Sequence, residues 1–294
     1  MSEKQVDVIK NRYEFSVLFD VENDNPNGDP DAENMPRMDQ ETHHGLVTDV
    51  CLKRKIRNYV DTVYGGGDSE DYRIYVKEDI PLEQHCKEAL VHFSFDEKGL
   101  SKDNPDIDND LKNFMCKNFY DIRAFGGVMT TFTKLNLNCG QVRGPIQFGF
   151  AKSVDPIMPQ EVTITRLTGA TDKQHTMGRK FIIPYALYRV DGYISANLAQ
   201  KVTNFSEKDL KLFWKALINM FENDHWAERG KMAVRNLVVL KHESIYGNAP
   251  AHKLFDLIKV SKKNEDTIPR AYQDYEVFID KNACPEGVTL TEMV

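Results

Sequence analysis

Cysteine is scarce in this sequence, and its placement excludes two classes of protein. The five cysteines are far apart, odd in number and never arranged as C-x-x-C. Neither a zinc ribbon nor a disulfide framework is indicated, and a reducing cytoplasm is the expected location. The N-terminus lacks a basic region followed by an apolar one, and the longest apolar run, Phe181 to Tyr188, is interrupted by Pro184. We therefore expect no export signal and no membrane span.

Motifs that mark common enzyme classes are also missing. The sequence contains no G-x-S-x-G, no Walker motif and no cysteine–histidine pair in a recognisable surround. Most of the histidines are scattered, and scattered histidines are more often structural or solvent-exposed than catalytic. We therefore expect a protein that is not an enzyme and needs no cofactor.

The charge is distributed unevenly along the chain. The formal net charge is −7, from 38 Lys and Arg against 45 Asp and Glu, which by itself argues against a nucleic-acid partner. The segment from Asp20 to Glu41 holds eight acids and one base, Arg37, so it accounts for the whole excess. No acid lies between Asp121 and Asp155. Because local potential steers charged partners more than the total does, the sequence allows an anionic partner.

Two stretches carry the positive charge. The first is the cluster Lys53, Arg54, Lys55 and Arg57, a pattern that equally suits a solvated face. The second is the acid-free stretch, whose glycines suit close approach of the backbone to a phosphate chain. These glycines are Gly126, Gly127, Gly140, Gly144 and Gly149.

The acidic segment contains two possible metal sites, and both fit poorly. Aligning Gly28 with the glycine of a calcium loop puts asparagines on three ligand positions, but Asn34 replaces the required glutamate and Pro26 interrupts the loop. His43 and His44 are neighbours in sequence, and adjacent histidines rarely converge on one ion. We expect a structured turn that offers amide groups, and no metal.

Hydrophobic periodicity predicts an α+β chain. Arg12 to Glu22 alternates apolar and polar residues, as in a strand with one buried face, and Leu46 to Val63 has helical spacing. Ser206 to Asp209 forms a capping-box variant before an amphipathic helix. The other predicted strands are Arg73 to Val76, Gln141 to Ser153, Tyr185 to Leu198 with a bulge or turn at Asp191-Gly192, Asn236 to Leu240 and Tyr275 to Ile279. The other predicted helices are Leu82 to Leu90, Asn109 to Tyr120 and Pro250 to Ile258, and Val154 to Pro184 is predicted as a projecting hairpin.

In coarse order these elements read strand, helix, insertion, two strands, helix, strand. This is the βαββαβ order of a ferredoxin-like or RRM-like sheet that carries insertions. No RNP-type aromatic consensus occurs on the first strand, so binding through phosphates and shape fits better than base stacking on the sheet.

Several short motifs, taken in order, resemble the backbone subunit of type I CRISPR Cascade complexes, most closely that of subtype I-C. Each is weak alone, but together they span nearly the whole chain. They are Asp20 to Pro30, Arg123 to Gly127, Gln141 to Gln147 with Ala151 to Ile157, Gly178 to Lys180, Pro184 to Tyr188, Lys241-His242 and Asn248 to Lys253.

The resemblance implies a right-hand-shaped subunit with an RRM-like palm, finger-like insertions and a thumb β-hairpin. Several copies would stack along one CRISPR RNA beside other Cascade subunits, and the guide would pair with target DNA. The implied segments are 1–64 (first strand, acidic loop and basic helix of the palm), 65–120 (finger-like insertion), 121–153 (palm), 154–184 (thumb hairpin) and 185–294 (palm completion and C-terminal elements).

The resemblance also implies a set of RNA-binding residues and no catalytic or metal-binding ones. Met177 is the expected wedge of the thumb, with Arg179 and Lys180 as its basic flank. The full set is Asn25, Asn27, Arg37, Lys53, Arg54, Arg57, Arg123, Met129, Thr130, Arg143, Arg166, Met177, Arg179 and Lys180.

Two other functions stay open on the sequence. One is a metal-dependent ribonuclease of the related type III backbone kind, built on Asp20, Glu22, Asp24, Asp29 and His43. The other is a structural RRM-like protein that binds protein partners through its acidic loop.

Overall fold

The chain, described here from a computed structural model, combines long strands with mostly short helices. The structure describes residues 7–65, 72–94, 106–133, 137, 140–165, 177–225 and 230–294. The strands in these ranges are β1 Tyr13–Asp24, β2 Gly28–Asp29, β3 Met35–Pro36, β4 His44–Val47, β5 Gly126–Val128, β6 Gln141–Arg143, β7 Ile146–Phe148, β8 Ala151–Pro156, β9 Gln160–Thr165, β10 Met177–Ile194, β11 Lys231–His242, β12 Ile258–Lys262, β13 Tyr275–Ile279 and β14 Val288–Glu292. The helices are α1 Asp49–Tyr64, α2 Leu82–His92, α3 Ile107–Asn118, α4 Tyr120–Phe125, α5 Thr130–Thr133, α6 Ala196–Leu198, α7 Glu207–Asn219 and α8 Ala251–Phe255, with a π-helical turn at Ala199–Thr203.

A large antiparallel sheet organises the molecule. Its strand order is β14-β11-β1-β10-β8-β4, and β7 and β9 also pair with β10. The central strand β1 pairs with β10 on one side and β11 on the other, as its alternating sequence predicts. The fold is therefore a mixed α/β architecture around this sheet, and no helix in the described ranges is long and apolar enough to cross a membrane.

Both faces of β1 are buried, although its alternation predicts one. On one face Phe15 packs against Phe213 and Trp214 of α7. On the other face Glu14, Ser16 and Asp20 are also buried. That face is covered because α8 contacts β1, and residues of the β12–β13 hairpin join Leu18 and Leu187 in one apolar cluster.

The buried acids of the second face have partners. Asp20 accepts hydrogen bonds from the Arg235 guanidinium at 2.8 Å and the Tyr185 hydroxyl at 3.1 Å. Glu14 meets Arg12 and the buried His242. A buried carboxylate needs such partners, because its transfer from water to the protein interior costs several kcal/mol of desolvation free energy. Residues predicted to face solvent thus form buried contacts with side chains of β10 and β11 and with Arg12.

The expected bulge at Asp191-Gly192 is wrong. The register between β1 and β10 runs without a shift from Tyr13 opposite Ile194 to Asp24 opposite Ile183. Gly192 is needed for space, because a Cβ there would lie 2.2 Å from the ring of Phe15. The register shift in β1 occurs instead between Leu18 and Phe19, against β11.

Three other predicted elements differ from the structure. Arg73 to Val76 forms only an isolated β-bridge, between Arg73 and Phe119. The amides of Tyr75 and Val76 donate hydrogen bonds to the Asp121 carboxylate and so cannot pair with another strand. Gln141 to Ser153 is three short strands, interrupted at Gly144-Pro145 and Gly149-Phe150. The helix predicted from Pro250 to Ile258 ends at Phe255, and Ile258 begins β12.

The two longest helices of the described ranges, α1 and α7, are confirmed. Helix α1 begins at Asp49 with Thr48 as its cap, and α7 begins with a full capping box between Ser206 and Asp209. Helices α2 and α3 build a second apolar core around Leu111, Met115 and Phe132, apart from the main one. The segment boundaries proposed from the sequence remain proposals, because this second core also includes Met129, Phe132 and Val142, which lie outside 65–120.

Candidate nucleic-acid interface

The loop that follows β1 is fastened to the start of α1. The Asn27 side-chain oxygen accepts hydrogen bonds from the Thr48 amide and the Thr48 hydroxyl, both at 3.0 Å. Thr48 in turn caps α1 by accepting from the Cys51 amide. The Asn25 side-chain NH₂ donates to the Asn34 carbonyl at 2.6 Å. The predicted structured turn is therefore present, and its asparagines serve first to position the loop.

The hairpin of β9 and β10 carries the exposed residues predicted for the thumb. Its register places Met177 opposite Thr165 and Arg179 opposite Thr163. Met177 is 74% exposed. The Arg179 guanidinium lies 3.2 Å from Glu161, yet 68% of the Arg179 side chain remains exposed. Arg166 lies outside the described residues.

The loop and the base of the hairpin meet in one cleft. Its volume is about 230 Å³, which suits a single phosphate, sugar or base rather than a whole small-molecule ligand. The cleft combines two cations and the side-chain amides of three asparagines with one acid, Glu33, so its charge balance favours a negatively charged group. The lining residues are Asn25, Pro26, Asn27, Gly28, Glu33, Asn34, Cys51, Arg179, Lys180 and Phe181.

This cleft brings together four residues that the sequence predicts as a site but places about 150 positions apart. Asn25, Asn27, Arg179 and Lys180 all line it. Sequence reasoning missed several of their neighbours, among them Cys51 and Phe181. No sequence signal marks Cys51, because its place in the cleft follows from the contact between the loop and the first turn of α1.

The basic residues of α1 are largely neutralised. Lys53 pairs with Asp49 at 2.9 Å, and Arg57 pairs with the fully buried Asp121 at 2.8 Å. Their side chains are only 14% and 13% exposed. Helix α1 is therefore less positive than its sequence predicts, since two of its cations serve internal contacts.

The other two basic residues of α1 differ in exposure. Lys55 is buried with Asp224 as its partner. Arg54 pairs with Glu78 but stays 60% exposed. Among the predicted α1 contacts, Arg54 alone therefore has a mostly exposed side chain in the described structure.

Arg123 and Met129 lie in the interior, which corrects their predicted place at the interface. The Arg123 guanidinium donates to both carboxylate oxygens of Asp209, at 2.8 and 3.1 Å. Burial opposes the charge of Arg123, but the Asp209 carboxylate outweighs it and raises the pKa of the guanidinium. Met129 is fully buried. Neither side chain can reach a surface ligand in this structure.

The remaining predicted residues are at or near the surface. Thr130 and Arg143 are exposed, and no ion pair within the described ranges involves Arg143. Arg37 is partly buried and lies 3.3 Å from Asp29.

Two glycines of the acid-free stretch approach other backbone, not open space. Gly126 has φ +75°, and a Cβ there would lie 2.2 Å from the Val142 carbonyl oxygen. A Cβ on Gly144 would lie 2.2 Å from the Phe125 carbonyl carbon. These two glycines therefore allow the close backbone approach where β5 pairs with β6, and a role beside a phosphate chain stays a prediction.

The residues of the alternative ribonuclease do not converge. Asp20 is held by Arg235 and Tyr185 on one face of the sheet, and Asp29 is paired with Arg37 in the loop. Across the described ranges, no three His, Cys, Asp or Glu side chains are grouped so as to hold a metal ion. This arrangement favours binding over metal-dependent cleavage.

The fold and the site define a mixed α/β protein in which a long hairpin, projecting from a large antiparallel sheet, meets a polar loop in a cationic cleft. A model of the family described as "CRISPR-associated protein Cas7" matches residues 11–280. The chain belongs to this family.

One relative carries the same family description. A "CRISPR-associated protein Cas7" of Haloferax volcanii is 26% identical over 293 residues, spanning 92% of this chain and 81% of that protein. Two solved chains are described as a "CRISPR RNA-guided surveillance complex, pre-nicking" and a "CRISPR RNA-guided surveillance complex". They show 11% and 12% identity and TM-scores of 0.48 and 0.41, over 78% of this chain and 78% and 68% of theirs.

Proposed function

We propose that this protein is a non-catalytic backbone subunit that binds CRISPR RNA in a type I-C Cascade complex in the cytoplasm. Membership of the Cas7 family supports the CRISPR role, and the ordered motifs support the subtype. Several copies bind one guide RNA beside other Cascade subunits. The guide pairs with target DNA, so base pairing supplies the sequence specificity and the protein recognises backbone and shape.

The observation that carries this proposal is the convergence of the β1 loop and the hairpin base in one cleft. Arg179 and Lys180 supply positive charge, which exceeds the one negative charge that Glu33 brings to the lining. Phosphate groups are bound by such donors without regard to sequence. The hairpin acts as the thumb of an RRM-like palm, with Met177 as the wedge between bases.

The predicted RNA-binding residues divide into two groups. Those that contact RNA are exposed or line the cleft: Asn25, Arg54, Thr130, Arg143, Met177, Arg179 and Lys180. Those that position the interface make internal contacts: Asn27 through Thr48, Arg37 through Asp29, Lys53 through Asp49 and Arg57 through Asp121. Arg123 and Met129 belong to the core.

A salt titration with matched arginine variants tests the proposal. Filter binding of a repeat–spacer RNA is measured over a range of salt concentrations for the wild type, Arg143→Gln, Arg179→Gln and Arg123→Met. Each phosphate contact on a single strand contributes about 0.7 to the slope of log affinity against log salt. Arg143→Gln and Arg179→Gln should each decrease the magnitude of this slope by about 0.7. Neither change should alter the free energy of unfolding.

Arg123→Met is the interior control. It leaves Asp209 buried without its cation, so it should reduce the free energy of unfolding by about 3–5 kcal/mol. The slope for the protein that remains folded should not change. A wild type whose RNA affinity is absent or indifferent to salt would contradict the proposed function.

A further inference from the structure

Every exposed residue of α7 is a lysine, and the half-buried Glu207 lies at the edge of the same face. Helix α7 buries Leu210, Phe213 and Leu217 against the sheet and α1. Its exposed positions are Lys208, Lys211 and Lys215, which lie three and four residues apart on one side of the helix. No other residue type is exposed on this helix, in a chain whose net charge is −7.

These three lysines lack carboxylate partners. No ion pair between residues of the described ranges involves any of them, whereas Lys53, Arg54, Lys55 and Arg57 of α1 are all paired. Solvated helix faces usually mix charges of both signs, because like charges four residues apart destabilise a helix by about 0.2–0.5 kcal/mol. The α7 lysine face therefore keeps its full positive charge at a small cost in stability.

The α7 lysine face is remote from the cleft. The Lys215 ammonium lies 5.9 Å from the centre of the Tyr64 ring, at the C-terminal end of α1. The cleft is lined by Cys51, in the first turn of α1. Thirteen residues of helix separate Cys51 from Tyr64, or about 20 Å at 1.5 Å per residue. A strand held in the cleft and a strand on α7 would thus occupy different surfaces.

We propose that Lys208, Lys211 and Lys215 bind the phosphate backbone of a second nucleic-acid strand, distinct from the strand in the cleft. The inference deepens the proposed function, since it assumes that the protein already holds a guide RNA. The three ammonium groups spread over about 10 Å of helix axis, from the rise of 1.5 Å per residue. Unpaired lysines with no shaped pocket suit contact with phosphates and not the reading of bases.

The test uses DNA that cannot pair with the guide. Protein loaded with guide RNA is titrated with labelled non-complementary DNA, single-stranded in one arm and duplex in the other, at several salt concentrations. The variant replaces all three α7 lysines (Lys208→Gln, Lys211→Gln, Lys215→Gln). For this variant the magnitude of the slope of log affinity against log salt should decrease by about 2 for single-stranded DNA, at about 0.7 per lost contact. The decrease should be larger for duplex DNA.

The control makes the same change in charge elsewhere. Lys253, Lys259 and Lys263 are also exposed, and their triple glutamine variant should keep the wild-type slope within about 0.5. Guide RNA binding should be unchanged in both variants. The same DNA titration is repeated with protein that carries no RNA, so that DNA binding by α7 is measured independently of the guide. Failure of the proposed function would instead appear as absent binding of guide RNA.

Two results would overturn the inference. An unchanged slope for the α7 variant with both single-stranded and duplex DNA would show that the lysine face is a solvated surface without a nucleic-acid partner. The second result is an α7 variant with an unchanged slope that loses self-association at low salt, as measured by sedimentation. That result would show that the lysine face binds an acidic protein surface.

Discussion

Buried charged residues in this protein are held as pairs, and their partners lie far away in sequence. Arg123 meets Asp209, and Lys55 meets Asp224, each pair with both members buried. Removing one member of such a pair typically costs about 3–5 kcal/mol, because the other is left charged and buried. These pairs join α4 to α7 and α1 to Asp224 after α7, so they stabilise the frame that carries the cleft.

His85 is a buried titratable residue whose acidic neighbour, Glu88, lies 3.8 Å from its Nδ1 and is already paired with Arg73. Its ring lies between those of Tyr75 and Phe119, and neither ring nitrogen has a hydrogen-bond partner in the described structure. Burial lowers the pKa of the imidazole, and the nearby Arg73 guanidinium lowers it further. The folded state therefore resists protonation of His85 at a pH where the unfolded chain accepts it.

We expect stability to fall with decreasing pH below about 6.5, the pKa of an unperturbed histidine. Above this pH His85 is neutral in both states and contributes no pH dependence. Below it the unfolded state binds one more proton, which removes up to about 1.4 kcal/mol per pH unit. His85→Phe keeps a ring in place and should remove this part of the slope in urea unfolding between pH 6.5 and 5.

The matched control for His85 is His252→Phe at an exposed position. That variant should retain the wild-type dependence of unfolding free energy on pH. If His85→Phe and the wild type lost stability in parallel over this range, His85 would not be the titrating group.

At the scale of elements, the β9–β10 hairpin contributes to the interface and little to the core. All six residues of β9 are exposed. The C-terminal part of β10 runs through the centre of the sheet between β1 and β8, and its Leu187 and Tyr188 are fully buried. One strand thus anchors the hairpin in the core and extends it to the cleft, so the cleft residues are rigidly connected to the sheet.

Shortening this hairpin should separate binding from folding. Gln160 and Ile182 are cross-strand neighbours, so a two-residue Asn-Gly turn can replace residues 161–181. We expect the free energy of unfolding to change by less than about 1 kcal/mol, because the described residues that are lost are exposed, apart from the partly buried Lys180 and Phe181. Filter binding should show a loss of RNA affinity of at least tenfold. Unfolding of this variant, or RNA binding at the wild-type level, would contradict the role assigned to the hairpin.

Elements with strong local signals were predictable, and contacts between distant segments were not. The alternation of β1 and the Ser206 cap of α7 are properties of neighbouring residues, and both predictions are confirmed. Arg123 stands in a stretch without acids, yet its partner Asp209 is 86 positions away. The acids on the second face of β1 look solvent-exposed until β12, β13 and α8 fold over them.

At the scale of the whole molecule, the net charge of −7 conceals several different uses of charge. Of the acids between Asp20 and Glu41, Asp20 and Asp24 are buried and Asp29 pairs with Arg37. Asp31, Glu33 and Glu41 are exposed. The acidic segment therefore presents a smaller negative surface than its sequence indicates, and we propose that this surface faces the neighbouring copy in the assembly.

Assembly of several copies of this chain along one guide RNA is tested most directly by the mass of the purified RNA–protein complex. Analytical ultracentrifugation or native mass spectrometry gives this mass for guides of increasing length. The number of copies per RNA should rise in steps of one as the guide lengthens. A single copy at every RNA length, or purified protein that carries no RNA, would contradict it.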